Sequence, residues 1–178
     1  LGARWINDVS GLEDPGMLSV LKNSSVDIVA MHSMSIPADP DKIMASHESP
    51  VEEILDWARQ TVLRVERAGI DSARLILDPG IGFGKSAEQC LKIIAHVDKL
   101  LALNVRLLVG HSRKVFFKSF ACPSRAAGER DPETVVVSAF LEQKGVHYLR
   151  VHNIRDHMCG LKVSRAINEL AKDQKPLL

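Results

Sequence analysis

The stretch Asp78-Pro79-Gly80-Ile81-Gly82-Phe83-Gly84-Lys85-Ser86 decides how the rest of the chain is interpreted. It follows the apolar run Arg74–Asp78, whose length and composition predict a strand that is buried on both faces. It precedes a stretch in which apolar residues recur at helical spacing. A glycine-rich turn between such a strand and a helix is typical of parallel α/β folds, which bind ligands at the carboxyl ends of their strands. The stretch therefore predicts a strand–helix unit with a loop that faces a ligand.

The glycines of this loop match neither of two common phosphate-binding motifs. A Walker A loop needs a glycine where Pro79 stands, and the dinucleotide-binding fingerprint needs one where Lys85 stands. Glycine also lets the backbone adopt positive φ and approach a ligand or a neighbouring strand closely. We interpret the loop in this second way.

The same order of strand, polar or glycine-rich turn, and helix recurs five times. The predicted strands are Arg4–Val9, Val26–Met31, Arg74–Asp78, Arg106–Val109 and His147–Val151. The predicted helices cover residues 15–23, 50–65, 86–103, 133–144 and 155–171. This order implies parallel strands joined by right-handed crossovers. Five units make a complete flavodoxin-like sheet or five eighths of a (β/α)8 barrel of ~250 residues, and the length of 178 residues alone favours the first.

Composition and charge exclude several classes of function. Hydrophobic residues make up 46% and charged residues 25% of the chain, as in an ordinary globular protein. Because 23 basic and 22 acidic residues leave a net charge of +1, we expect no nucleic-acid partner and no anionic membrane surface. No apolar run approaches the ~20 residues that span a bilayer. The cysteines Cys90, Cys122 and Cys159 fit neither a disulfide framework nor a zinc site, which favours a cytoplasmic location.

Polar residues end every predicted strand. These ends read Asn7-Asp8, Met31-His32, Asp78-Pro79-Gly80, Gly110-His111-Ser112-Arg113-Lys114 and Arg150-Val151-His152-Asn153. Strand ends also become polar because they surface into loops, but five such ends together favour a shared site. Asn7 and Asp8 point to opposite faces of their strand, so one of them faces that site. No motif of a metal hydrolase or of a serine nucleophile occurs, and we predict no metal ligands.

Side chains at three of these ends suggest a ligand chemistry. Asp78 could offer both oxygens to a planar N–H/NH2 edge such as a 2-aminopyrimidinone, or it could cap the glycine loop. Lys114 suits a carbonyl or ring nitrogen and Arg113 suits stacking or forked contacts to an anion, with a solvated charge pair as the alternative. Arg150 and His152 face one side of a strand. They form a candidate diphosphate site, or else an internal ion pair and a helix-terminal histidine.

Taken in order, these segments resemble the dihydropteroate synthases, which are transferases of the pterin-binding barrel family. The matching stretches are Ile6-Asn7-Asp8-Val9-Ser10, Met31-His32-Ser33-Met34, Leu77-Asp78-Pro79-Gly80-Ile81-Gly82-Phe83-Gly84-Lys85, Gly110-His111-Ser112-Arg113-Lys114 and Arg150-Val151-His152. The aspartate–glycine loop and the Ser-Arg-Lys element are specific in combination. Their order and spacing extend through almost the whole chain.

The resemblance implies an α/β fold of the TIM (β/α)8-barrel family, here a partial barrel of about five units in one domain, residues 1–178. It implies an enzyme of folate biosynthesis that is a sulfonamide target. This enzyme joins 6-hydroxymethyl-7,8-dihydropterin diphosphate to p-aminobenzoate and releases pyrophosphate. The resemblance implies that catalysis is mainly electrostatic and positional. By resemblance, Asp78 and Asn7 hold the donor edge of the pterin, with Lys114 at its carbonyl or ring-nitrogen side. The other expected substrate contacts are Met31, Phe83 and Gly110 at the pterin slot, Arg150 and His152 at the diphosphate, Ser112 at the p-aminobenzoate carboxylate, and Arg113.

The chain also departs from the family's pattern. The family has three βα units before the Ile-Asn-Asp strand, and one of their loops carries an asparagine linked to Mg2+. This chain corresponds to units four to eight, so Mg2+ is a cofactor of the family whose loop ligand is absent here. Smaller departures, which affect fine substrate contacts, are His111, Asn153 and the segment Arg130-Asp131-Pro132-Glu133-Thr134.

The missing units would leave the first and last strands as open edges with uncovered apolar faces. We therefore expect that the chain either forms a homodimer that covers these edges or is a marginally stable fragment. We also expect it to bind pterin weakly and to turn over little substrate. The alternatives are a pterin-dependent methyltransferase, a non-catalytic pterin-binding half-barrel or scaffold, and a flavodoxin-like nucleotide binder.

Overall fold

The computed structural model describes residues 2–39, 41–45, 49–121 and 123–172. Within these ranges the chain forms five strands and six α-helices. Their bounds are β1 Trp5–Asp8, α1 Pro15–Lys22, β2 Asp27–Met31, α2 Pro50–Arg67, β3 Leu75–Asp78, α3 Ala87–Ala95, α4 Val97–Leu101, β4 Arg106–Val109, α5 Asp131–Gln143, β5 Tyr148–Leu149 and α6 Ile154–Lys172. Shorter 3-10 turns cover residues 72–74, 115–119 and 127–129. No helix of the described ranges is long and apolar enough to cross a membrane.

The five described strands are parallel, and each pairs with the next one along the chain. A flavodoxin-like sheet has the order 2-1-3-4-5, in which the chain reverses direction across the sheet. Here the order is 1-2-3-4-5, so every crossover moves the same way. This order is that of consecutive barrel units, and it argues against the doubly wound alternative.

The two faces of the sheet are covered differently. Outward residues such as Ile28, Leu77 and Leu107 belong to a large core that the helices complete. Inward residues form a separate small cluster of Val29, Ile76 and Leu108 against Tyr148. A doubly wound sheet carries helices on both faces, whereas a barrel carries them outside only. The distribution of the core therefore indicates barrel architecture.

The predicted starts of two helices agree with their local chemistry. The Ser49 side chain accepts from the Glu52 N–H and Pro50 occupies the first turn of α2. Ser86 and Gln89 form a reciprocal capping box at the start of α3. These caps fix where the chain leaves the loops after β2 and β3.

The single helix predicted over residues 86–103 is wrong. The structure breaks it into α3 and α4 at His96, whose φ of −109° and ψ of 28° are not helical. Buried residues continue on both sides of the break, with Ile93 and Ile94 before it and Val97 and Leu100 after it. Because the apolar spacing runs through the break, periodicity alone does not reveal it.

Candidate functional site

A cavity of about 360 Å3 opens at the carboxyl ends of β3, β4 and β5. Its lining residues are Phe83, Gly110, Ser112, Lys114, Arg150, Val151 and His152. All but Val151 were predicted from the sequence as site residues, and the fold brings those six together. We call this space the cation pocket, because Lys114, Arg150 and His152 share its walls.

A second cavity, of about 580 Å3, lies on the concave face of the sheet. Its lining residues are Trp5, Asn7, Val29, Leu108, His147, Tyr148, Leu149 and Arg150. Asn7 is thus the inward member of its pair, while Asp8 is used to bind Ser10 and the Leu12 N–H in the turn that follows. Arg150 lines both cavities, which therefore adjoin at this side chain.

Asp78 has the loop-capping role, which is one of the two roles that the sequence left open. Its carboxylate is buried, and Oδ1 accepts a 2.8 Å hydrogen bond from the Gly80 N–H. Among the described residues Oδ2 has no hydrogen-bond partner, and Arg150 Nη2 stands 4.0 Å away. Burial raises the pKa of Asp78, while the Gly80 N–H and the charges of Arg150 and Lys114 oppose that rise. The carboxylate therefore caps the loop with one oxygen, while the other is buried without a hydrogen-bond partner among the described residues, and Asp78 lines neither of the two cavities.

The glycine loop is folded tightly against the end of β2. Gly80 has φ of +64°, and a Cβ added there would lie 1.9 Å from the His32 carbonyl oxygen. Gly84 has φ of +65°, and a Cβ there would lie 2.3 Å from Met34 Cβ. Both positions require glycine, so the loop serves as the close-packed turn that the sequence predicted.

Lys114 lies against an aromatic ring. Its Nζ is 4.1 Å from the centroid of the Phe83 ring, which is the geometry of a cation–π contact. Burial lowers the pKa of Lys114, as does the nearby Arg150, while Asp78 raises it. Lys114 is therefore a partly desolvated amine that lies over an aromatic ring at the wall of the cation pocket.

Ser112 and His152 connect the tips of β4 and β5. The Ser112 Oγ lies 2.9 Å from His152 Nδ1 and also accepts from the His152 N–H at 3.2 Å. The Arg150 N–H donates to the Val109 carbonyl, which extends the pairing beyond the two residues of β5. These bonds hold Arg150 and His152 at the rim of one pocket, as their alternation predicted.

Arg113 does not line the cation pocket, although the resemblance implies a substrate contact for it. Its guanidinium forms a forked ion pair with Asp131, with Nε–Oδ1 at 2.7 Å and Nη2–Oδ2 at 2.8 Å. The forked geometry expected for a bound anion is thus satisfied by a carboxylate of α5. Met31 also lines neither cavity, since its side chain is buried beneath Gly80.

The departures from the family's pattern lie in one region behind the Lys114 loop. His111 Nε2 lies 2.9 Å from Ser138 Oγ, and the buried Arg130 donates to the carbonyls of Arg113 and Lys114. Asn153 donates to Asp131 and Asp156. These side chains join the loop to α5 and α6, so they act on the pocket through its supports.

Sequence reasoning gave no role of its own to Lys85. This side chain is buried beneath the glycine loop and bonds to two of its carbonyls. Its place directly after three glycines at the end of the loop motif is the signal that could have drawn attention to it.

No group of three His, Cys, Asp or Glu side chains in the described ranges could hold a metal ion. Cys90 and Cys159 are free thiols, and Cys122 lies outside the described residues.

Comparison with known proteins identifies the class of protein that this fold and site define. Residues 1–152 match the model of the pterin-binding enzymes, so the chain belongs to that family. Within it, the chain is 32% identical to the dihydropteroate synthase of Staphylococcus haemolyticus, over 98% of this chain and 61% of that protein. It is 34% identical to a probable bifunctional folylpolyglutamate synthase/dihydropteroate synthase of Haloferax volcanii, over 93% of this chain and 19% of that protein.

Solved structures give the same result. The dihydropteroate synthase of Anaplasma phagocytophilum with bound 6-hydroxymethylpterin-monophosphate superposes with a TM-score of 0.86 at 35% identity, over 93% of this chain and 65% of that one. The Xanthomonas albilineans enzyme with 4-aminobenzoic acid superposes with a TM-score of 0.84 at 32% identity, over 94% of this chain and 58% of that one. The predicted partial barrel and the resemblance to dihydropteroate synthases are confirmed. The chain spans less than two thirds of the length of these relatives.

Proposed function

We propose that this chain forms the pterin and diphosphate side of a dihydropteroate synthase site. The reaction joins 6-hydroxymethyl-7,8-dihydropterin diphosphate to p-aminobenzoate, giving dihydropteroate and pyrophosphate. The observation that carries the proposal is the buried carboxylate of Asp78, whose Oδ2 faces Arg150 and has no hydrogen-bond partner among the described residues. A buried acceptor left in this state is costly unless a ligand satisfies it.

The pterin ring supplies the donors that this oxygen needs. Its 2-amino group and adjacent ring N–H form a flat donor edge, which suits Asp78 Oδ2. Lys114 beside the Phe83 ring would bind the carbonyl or ring nitrogen. Asn7, on the concave face, would contact the same ring from β1. Met31 supports this wall from below through Gly80 rather than by contact.

The diphosphate would lie in the cation pocket, which Arg150 and His152 both line. In the reaction the bond between the pterin methylene carbon and the diphosphate oxygen breaks, and that oxygen keeps the electron pair. The amine nitrogen of p-aminobenzoate forms the new bond to carbon and gives up one proton to solvent. Arg150 and His152 stabilise the charge that grows on the leaving group, which is electrostatic catalysis. Ser112, at the rim, lies where the p-aminobenzoate carboxylate would approach.

Release of pyrophosphate tests the proposal. We expect the chain to bind 6-hydroxymethylpterin and to release pyrophosphate slowly when both substrates are supplied. Arg150→Gln should abolish release, while Arg59→Gln, on the exposed surface of α2, should leave it unchanged. Absence of pterin binding in the unaltered chain contradicts the proposal.

A non-catalytic pterin-binding half-barrel is the second candidate. The observation that favours it is coverage, since the chain spans 61% of the Staphylococcus haemolyticus enzyme and 65% of the Anaplasma phagocytophilum one. Pterin binding without any pyrophosphate release would establish it. Methyl transfer from a labelled methyl-pterin would instead indicate a methyltransferase, which the presence of Arg150 and His152 in one pocket argues against.

We further propose that the chain forms a homodimer. We also propose a cytoplasmic location, which the cysteine pattern favours. The support is an apolar surface on two adjacent helices, which we call the α5–α6 face. It consists of Val136 and Phe140 on α5 and Met158, Val163, Ile167 and Leu170 on α6, all exposed. Several large apolar side chains exposed on neighbouring helices are typical of interaction sites. This face differs from the sheet edges that the sequence suggested a dimer would cover.

A further inference from the structure

Lys85 is the buried cation that the proposed reaction does not use. It is 8% exposed, and its Nζ lies near three acceptors: the Gly80 carbonyl at 3.0 Å, the Phe83 carbonyl at 3.1 Å and His32 Nδ1 at 2.9 Å. An ammonium group has three N–H donors, so these acceptors use its full capacity. Lys85 lines neither of the two cavities described above.

Each acceptor belongs to a different part of the pterin-side wall. The Gly80 carbonyl lies in the turn whose N–H holds Asp78 Oδ1. The Phe83 carbonyl belongs to the residue whose ring lies under Lys114. His32 joins the end of β2 to the wall, because its own N–H donates to the Asp78 carbonyl at 2.9 Å. One ammonium thus connects the supports of both Asp78 and Lys114.

The charges around Lys85 define which partner is protonated. The groups that face it are Asp78 on β3, Glu53 on α2, Cys90 on α3, Lys114 after β4, and His32. Burial lowers the pKa of Lys85 to about 8, and burial together with Lys85 lowers that of His32 to about 3. At pH 7 Lys85 is therefore mainly the charged donor and His32 the neutral acceptor, with its proton on Nε2.

We propose that Lys85 is a positioning residue for pterin binding: its ammonium fixes the Gly80–Phe83 turn, and through that turn the directions of Asp78 Oδ2 and of the Phe83 ring. This inference rests on the proposed function and deepens it. It separates the pterin side of the site, which depends on Lys85, from the diphosphate side, which Arg150, Ser112 and His152 hold through bonds of their own.

The test measures binding of 6-hydroxymethylpterin and of inorganic pyrophosphate by the same variants of the chain. Lys85→Met keeps the length and removes all donors, Lys85→Gln keeps one donor group, and Lys92→Met is the control on the exposed surface of α3. We expect pterin affinity to fall on the order of tenfold or more in Lys85→Met and less in Lys85→Gln. Pyrophosphate affinity should stay within about twofold in both, and the control should match the unaltered chain.

The outcomes separate this inference from the proposed function. If the unaltered chain does not bind the pterin, the proposed function and the role of Lys85 fail together. If it binds and Lys85→Met binds equally well, only the role of Lys85 fails. A parallel loss of pterin and pyrophosphate affinity in Lys85→Gln would show a general structural role and also overturn the inference.

A measurement on the unaltered chain tests the role of Lys85 even if the variants do not fold. Nitrogen-15 NMR should show His32 neutral from pH 5 to pH 8, with Nδ1 unprotonated and Nε2 carrying the proton. A His32 that titrates near pH 6.5, or that carries its proton on Nδ1, would mean that the ammonium does not donate to it, and the proposed anchor would not exist.

Discussion

The indole of Trp5 and the phenol ring of Tyr148 meet edge to face across the concave side of the sheet, with ring centroids 4.7 Å apart. Trp5 lies on β1 and Tyr148 on β5, which are the two edge strands of the described sheet. In a flat sheet these strands would lie about 19 Å apart, at roughly 4.8 Å for each step between neighbours. The contact therefore shows that the sheet is strongly curved. This curvature brings the carboxyl ends of all five described strands toward one region.

We expect this ring contact to contribute measurably to stability. A double-mutant cycle with Trp5→Leu and Tyr148→Leu should give a coupling energy of about 0.5–1.5 kcal/mol in urea unfolding, as for other aromatic pairs. Tyr148→Phe is the control, since it keeps the ring and removes only the contact of the hydroxyl with Arg106. A coupling near zero would mean that the sheet holds its curvature without this pair.

Asp78→Asn should weaken pterin binding and raise the stability of the fold. The amide oxygen can still accept from the Gly80 N–H, so the cap is kept. The substitution removes a buried charge and places a donor where the proposed pterin needs an acceptor. We therefore expect pterin affinity to fall on the order of a hundredfold. Because burial raises the folded-state pKa of Asp78, the ionised carboxylate costs stability at pH 7, and the variant should melt at a higher temperature. The stability difference should shrink as the pH falls through the folded-state pKa, where the carboxyl is protonated. A less stable variant at pH 7 would contradict this account.

Gly80→Ala should destabilise the protein severely. Its Cβ would overlap the His32 carbonyl oxygen and its φ is positive, so we expect a loss on the order of 3–5 kcal/mol in the free energy of unfolding. Gly128→Ala is the matched control, because a Cβ there meets nothing within 4 Å. Chemical denaturation of both variants under one set of conditions gives the comparison.

Asp131→Ala should destabilise the Lys114 loop in a way that depends on pH. The forked bond from Arg113 lowers the pKa of Asp131 from its ordinary 3.8 to about 2, so the ion pair stabilises the fold above pH 4. We expect a loss on the order of 1–3 kcal/mol at pH 7. The difference from the unaltered chain should shrink as the pH falls from 4 toward 2.

Asp56→Ala is the control for this experiment. It breaks an exposed pair with Arg59 and should cost less than about 0.5 kcal/mol. Unfolding curves for both variants between pH 7 and pH 2.5 make the test. A difference for Asp131→Ala that does not change with pH would show that packing, rather than charge, is responsible.

Ile167→Glu should disrupt the proposed homodimer. The side chain is 62% exposed on the α5–α6 face, and a charge there would have to be desolvated in an interface. Sedimentation should show a dimer for the unaltered chain and a monomer for the variant. Val20→Glu makes the same change at a 68% exposed position on α1 and should leave the dimer intact. A monomeric unaltered chain would end the dimer proposal.

Much of the architecture could be predicted because it depends on local patterns. The run before Asp78 and the glycines after it specify a buried strand and a tight turn, and Pro50 and Ser86 mark helix starts. The strand order was not accessible in this way, since five βα units fit two architectures until the family resemblance selects one. Consecutive pairing and a one-sided helix layer depend on contacts between distant segments.

The site was predictable to the extent that side chains follow from strand ends. Ser112, Lys114, Arg150 and His152 share one pocket because parallel strands align their carboxyl ends. Arg113 does not line this pocket, since it pairs with Asp131, which lies 18 residues later and which no local pattern indicates as its partner. Lys85 received no role for the same reason, since its acceptors become visible only when the loop folds over it.

One carboxylate that serves both the fold and the proposed ligand site limits which substitutions that site tolerates. A compound whose donors bind Oδ2 would contact the same carboxylate that closes the Gly80 turn through Oδ1. Asp78→Ala would lose that closure, and Asp78→Asn would keep it only by presenting a donor to the proposed pterin as well. Substitutions that weaken binding of such a compound should therefore be tolerated better at the rim of the cation pocket, around Ser112, than at Asp78.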